Sequence, residues 1–503
     1  AITLLAADWP MQNGGPERNG WARSEHLLTK TSVKNLAKLY AYQAGTSSGA
    51  SSALTSPIVN GNLITYIGFK EMLIFGDGGN RVFSVDADLN KLIWKTDLPF
   101  QADQSKQKSS RQACAGGLAS QVAMAGSSSA PMHFAAAAAR LPATGGRPFR
   151  RPSPYFPPLW QSVYPLHPDT LTQLNALYTV SSDGFLHILN SSTGEDLIAA
   201  FQFVPPHAKV TSLNVWENMI YATTADNCDG YRNALYAVNL LTNEKQVVVF
   251  APENGGFAGS AGTAIGRDGT VYVQVTQAPG DKPGVSRDAV LALTPRDLKM
   301  KDYFAPGRIL KHADLSRPGI TPIVFSWMGK EMVVAGGQDG GLYLLDSKSL
   351  GGADHHTPVF ELPSKTRKRE DAGFRGSFSS WQDVDTQQRW IYAPNDRGIA
   401  AFKLTSENGK PTLAPLWTSD EIAAPAPVVI ANGMAFTLST GAPPTLYALD
   451  ALTGKEIYSS GSAISGHPQG ALAVANGRIY FSTHENTVYC FGLSNENTQL
   501  AEQ

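Results

Sequence analysis

The chain has 503 residues, room for several domains or for one large repeat array, and 42% of them are hydrophobic, ample for a core. Its 41 basic and 42 acidic residues leave a net charge of -1, which excludes a nucleic-acid binder that relies on bulk positive charge. Charged residues are only 17%, while Gly (47) and Pro (32) are plentiful. That balance suits many short strands and turns. No apolar run approaches the roughly 20 residues needed to span a bilayer.

Residues 1–7 (AITLLAA) are apolar and end in small residues before Asp8, in the manner of the last part of a secretory signal peptide. A short apolar first strand is the alternative. The export reading makes the protein periplasmic or extracellular and leaves 8–503 as a single domain. Asp8 to Glu25 is a polar, Gly-rich lead-in, and Leu36 to Gln43 (LAKLYAYQ) reads as a strand with no hairpin partner before it. The first full unit follows, from Thr55 to Leu98, with two short strands expected around Asn60-Gly61 and a strand ending at Asp86 before a return through Trp94. Residues 101–170 then break the pattern. They carry Cys114, an Ala run and a Pro/Arg-rich stretch, and read as an insertion between two units.

Seven more units follow, of which Thr445 to Tyr458 (TLYALDALTGKEIY) is representative: an alternating strand, an acidic stop at Asp450, a turn at Thr453-Gly454, and a returning strand. The units recur at roughly 50 residues with four short strands each, which predicts an all-β, eight-bladed propeller. The last unit supplies only three strands before a polar tail, so the orphan strand at Leu36–Gln43 is expected to complete it and close the ring. The innermost strands carry small residues (Ser56, Pro57, Gly262, Thr263, Ala426, Pro427), as crowding near an axis demands.

The motif carried by Ser56-Pro57-Ile58-Val59 with Asn60-Gly61, by Pro427-Val428-Val429 with Asn432-Gly433, and by Leu446–Gly454 resembles the repeat of the pyrroloquinoline-quinone-type β-propellers. The resemblance covers nearly the whole chain outside the insertion. It implies the propeller fold, and a superfamily that holds quinone-dependent alcohol and sugar dehydrogenases as well as propellers without a cofactor. The larger alcohol-oxidising members carry two adjacent cysteines; Cys114, Cys228 and Cys490 are not adjacent, and no Cys-x-x-Cys-His occurs to hold a haem.

On a propeller, the loops between second and third strands share a face with the connections between blades. That face is expected to hold Asp183, Asp226, Asn227, Cys228, Asp339, Asp396, His484, Glu485, Arg375 and His467. Asp226, Asn227 and Asp229 form the best candidate Ca²⁺ cluster, with an Asx-rich turn as the alternative. Asp183 and Asp339, each before a glycine, are more simply explained as hairpin turns that need positive φ. Arg375, Trp381 and Asp339 are candidate cofactor contacts, Trp381 either lining the funnel or packing in the core. His484 with Glu485 is a candidate general base with its orienting partner, and Asp226 is a second candidate catalytic residue. Cys114 and Cys228 are paired as an expected disulfide, with free buried cysteines as the alternative. His355-His356 has the look of a metal pair but is expected to diverge, as adjacent histidines on a loop do, and the basic run Lys365–Arg369 reads as a solvated loop, with contact to an anionic surface as the alternative.

Two functions fit. The first and favoured one is an exported binding or scaffolding propeller without redox chemistry, meeting a protein partner or small ligand at its funnel face. The alternative is a quinone-dependent alcohol or sugar dehydrogenase, with pyrroloquinoline quinone and Ca²⁺ as candidate cofactors.

Overall fold

The alternation of Val, Ile, Leu and Tyr with small residues builds short antiparallel strands that bury both faces, so each sheet needs a neighbour on either side. In the computed structural model, which describes residues 7–45, 54–65, 68–99, 120–125, 176–242, 244–282, 287–307, 319–337, 340–362, 373–374 and 376–493, these strands form eight antiparallel sheets. Innermost strands of successive sheets contact one another around a common axis. The architecture is an eight-bladed β-propeller, with no α-helix among the described residues.

Blade 7 is the plainest: Val429–Ala431, Met434–Ser439, Thr445–Asp450 and Glu456–Ser459 follow one another in space as in sequence. Blade 8 is composite. Ala473–Ala475, Arg478–Ser482 and Thr487–Gly492 take their fourth strand from Ala37–Gln43, with Tyr40 opposite Cys490. The ring is closed by joining the two ends of the chain, as the sequence predicts. Blade 4 has a fifth short strand, since Phe257–Ala258 and Ala264–Ile265 both pair with Val271–Val275.

Two boundaries differ from expectation. Asn60-Gly61 is not a turn: Ile58–Thr65 runs straight through it, with a register shift between Asn60 and Leu63. Gly61 N instead donates to Asp8 Oδ1 at 2.8 Å. Asn432-Gly433 and Asn476-Gly477 are true two-residue turns, each residue at positive φ. The stretch 101–170 is not wholly interposed between blades either. Ala123–Met124 within it is the innermost strand of blade 2, pairing with Ala176–Val180. A two-residue strand has no periodicity to read.

Side chains fill the seams between blades, and the repeat's turn makes a latch there. Asp450 Oδ1 accepts from Leu452 N and Thr453 N, and Gly454 N donates to Asp450 O. The turn's glycine, at φ +73°, lies under Trp417 of blade 6, where a Cβ would stand 2.5 Å from the ring. Trp417 Nε1 donates to Ala451 O at 3.1 Å. Trp94 of blade 1 repeats the arrangement over Gly194 of blade 2, donating to Ser191 O at 2.8 Å. The Asp and Gly of the motif thus encode a dock for the preceding blade's aromatic residue.

An inner strand leaves one edge of backbone N–H and C=O groups facing the axis, and these need partners. The polar lead-in supplies them. Trp9 and Val59 exchange two backbone bonds in blade 1, and Met124 N of blade 2 donates to Pro10 O. Pro16 O accepts from Asn214 Nδ2 of blade 3 and Ile265 N of blade 4. Val324 N of blade 5 bonds Glu17 O, Ser380 N of blade 6 bonds Asn19 O, and Ile430 N of blade 7 bonds Gly20 O. Blade 8 closes the circuit through Asn476 with Ala7 and Gly477 N with Glu25 Oε2. Gly20, at φ +64°, passes so close that a Cβ would lie 2.8 Å from Val428 O. Arg18 sits wholly buried in this coil, donating to Gln12 O, Thr263 O, Leu213 O and Ser212 Oγ. Burial with no carboxylate beside it pushes the guanidinium down to about 9.

Candidate functional site

Each blade presents its second-to-third-strand turn, and the link from the preceding blade, on one face, here called upper; the other turns form the lower face. Asp226, Asn227, Cys228, Asp229, Asp183, Asp396, His467, His484 and Glu485 all belong to upper-face segments. Arg375, Asp339, Cys114 and Lys365–Arg369 lie outside the described residues.

The blade 3 turn is a strained polar knot. Asp226, Asn227 and Asp229 all hold positive φ, tolerated because short polar side chains can bond locally. Asp226 Oδ2 is ion-paired with Lys209 Nζ at 2.7 Å, both substantially exposed. Asn227 and Asn233 exchange bonds, each side-chain oxygen accepting the other's backbone N–H. These contacts tie Asp226 and Asn227 to their own turn and its neighbouring strand, and among the described residues no group of three His, Cys, Asp or Glu is arranged to hold a metal ion. Cys228 is buried, its expected partner Cys114 lies outside the described residues, and Cys490 is a buried free thiol.

Glu485 does orient a histidine, but that histidine is His467. His467 Nδ1 stands 2.7 Å from Glu485 Oε1, and His467 N donates to Oε2 at 2.8 Å. Against some desolvation, these bonds hold the Glu485 carboxyl down to about 2. His484 lies alongside, its N–H donating to His467 O. The pairing was hidden in sequence because 18 residues separate the partners.

Trp381 does not line the axis. It is 6% exposed and packs in the cluster between blades 6 and 7, over Gly433. Asp183 caps its own turn through Ser181 Oγ, before Gly184 at φ +84°. His355 and His356 diverge, one stacked on Tyr303 and bonded to Asp302, the other bonded to Ala305 O.

Sequence reasoning missed the polar lining of the axis. Asn13 Nδ2, Asn19 Nδ2, Thr263 Oγ1, Asn214 Oδ1 and Gln469 Nε2 are buried without a protein hydrogen-bond partner. Such atoms are rare in folded proteins and need a partner from outside the chain. Only the oddity of Trp9 and Met11 within a polar lead-in hinted that this segment is interior; both are at most 1% exposed.

No protein-family model and no curated protein sequence matches the chain. The fold is similar to the quinohemoprotein alcohol dehydrogenase of Comamonas testosteroni, at TM-score 0.59 and 13% identity, over 97% of this chain and 80% of that one. It is similar to a europium-containing methanol dehydrogenase at TM-score 0.59 and 12% identity, over 97% and 98% of the two chains. A quinohemoprotein alcohol dehydrogenase of Pseudomonas putida HK5 gives TM-score 0.58 and 13% identity, over 97% and 80%. At such identities the likeness is one of fold: this chain is an eight-bladed propeller of the architecture seen in those quinoproteins.

Proposed function

We propose that the chain is an exported redox propeller of the quinone-dependent alcohol or sugar dehydrogenase kind, with pyrroloquinoline quinone held at the upper end of the axis. The observation that carries this reading is extent: the likeness to the europium-containing methanol dehydrogenase runs nearly end to end in both chains. Gln469 Nε2, an unpartnered donor on the upper-face link into blade 8, suits the organic part of such a group, whose rim is carboxylate and carbonyl oxygen. The described residues do not offer Ca²⁺ a group of three His, Cys, Asp or Glu ligands.

When bound, the quinone would accept the electron pair taken from the alcohol carbon. The chain's own part is the proton. With Nδ1–H directed at Glu485, the His467 ring presents Nε2 as an acceptor at the upper rim. Asp226 is the second candidate. A Cys114–Cys228 bond would tie the segment after blade 1 to the blade 3 turn on this face.

The reading without redox chemistry draws on the sequence, which has neither adjacent cysteines nor a haem-attachment motif. One experiment separates the two. Purified protein is incubated with pyrroloquinoline quinone and either Ca²⁺ or Eu³⁺, desalted, and assayed for dye reduction over an alcohol panel. Retention of about one quinone per chain with alcohol-dependent dye reduction is expected. Failure to retain quinone with either cation overturns the dehydrogenase and leaves a binding propeller.

A further inference from the structure

The lower face carries a cavity of about 310 Å³ between the axial coil and blades 4, 5 and 6. Three arginines line it. Arg389, which opens the second strand of blade 6, is 3% exposed. Its donors reach Ser326 O at 2.9 Å, Gln382 Oε1 at 2.7 Å and Ser380 Oγ at 3.3 Å, all uncharged, and its Nε–H has no acceptor. No carboxylate lies within 4 Å of it among the described residues. Arg23 shares an indole with it: their guanidinium carbons stand 4.8 Å (Arg23) and 5.7 Å (Arg389) from the Trp21 ring centroid. Arg267 comes from the first turn of blade 4 and reaches Ser326 Oγ.

A buried guanidinium without a counter-ion, beside a second cation, is costly unless an anion compensates it. Burial and the neighbouring Arg23 charge accordingly lower Arg389 to about 10. Two carboxyl groups, Glu17 and Glu331, also line the cavity, so its formal charge is +1. That balance matches a monoanion and leaves a doubly charged phosphate overcompensated. Glu331, raised above the usual carboxyl range by burial, and Glu17 add acceptors for ligand hydroxyls.

We propose that this cavity is a binding site for a small polyhydroxy monocarboxylate, of the sugar-acid class, with the carboxylate between Arg23, Arg267 and Arg389 and the hydroxyls toward Glu17 and Glu331. The site lies at the end of the axis away from the upper face and does not depend on the redox reading.

Calorimetric titration of the full chain tests it, with gluconate, glucose and inorganic phosphate as probes. Gluconate binds at one site and glucose does not, and added salt weakens binding. Arg23→Gln and Arg267→Gln, both at exposed positions, each weaken gluconate by about tenfold, as expected for losing a charge-assisted bond. Absence of gluconate binding by the wild-type chain overturns the proposal, as does gluconate binding that both variants leave unchanged. Phosphate binding more tightly than gluconate overturns the assigned class.

Discussion

The seam between blades 6 and 7 and the seam between blades 8 and 1 perform the same task with different chemistry. At the first, Trp417 in the outer strand of blade 6 donates to Ala451 O, just past the Asp450 turn. At the second, Tyr40 in the outer strand of blade 8 donates its hydroxyl to Ala87 O, the equivalent carbonyl just past Asp86. Around Tyr40, however, the seam is charged: Arg478 pairs with Glu71 at 3.2 Å and with Asp88 at 2.6 Å, and Tyr480 donates to Glu71 at 3.0 Å. The seam that joins the two ends of the chain is therefore set to respond to pH, whereas the continuous seam relies on packing.

Trp417→Ala breaks the packed seam, and a loss of about 4 kcal/mol is expected from removing a large aromatic side chain, read by urea denaturation; a loss under about 1 kcal/mol would show that the latch is ornamental. At the charged seam, burial raises the Glu71 carboxyl from 4.5 to about 7, in spite of Arg478. The folded protein then holds that proton more tightly than the unfolded chain. This group's contribution to stability is full below pH 4.5 and is lost as pH climbs to about 7. A shift of that size corresponds to about 3 kcal/mol, and Glu71→Gln should flatten the fall between those limits. An unchanged stability–pH profile in the variant would remove the distinction between the seams. Gly454→Ala sharpens the comparison: a cost of about 2 kcal/mol is expected, from positive φ and from overlap with Trp417. In the Trp417→Ala background it should shrink to the backbone part, about 1 kcal/mol, and simple additivity would deny the contact. Tyr40→Phe is the mildest, about 1 kcal/mol for one hydrogen bond, since the ring stays in place; thermal unfolding at constant pH measures it.

The sequence announces what repeats. The Asp450 turn, the glycine beneath Trp417 and the missing fourth strand of blade 8 all follow from periodic side chains, and so the blade number and the closure were legible. What happens once was not. The lead-in binds eight blades mostly through backbone groups, which leave no mark in residue identity, and Ala123–Met124 is too short to alternate. Asn60-Gly61 misled because the dipeptide that favours a turn also accommodates a register shift in a strand. At the upper face residue type pointed to the right loops, but partnership across distant turns, as in His467 with Glu485, is set by the ring and not by spacing.

Repeat arrays usually couple each unit only to its neighbours, so they can lose end units one at a time. The segment from Ala7 to Glu25 alters that rule, because a single stretch of about twenty residues is bonded to the innermost edge of every blade. It acts as an axle. A blade that leaves the wheel strips a contact from a strand on which the other seven also depend, and the whole assembly is thereby made to stand or fall together.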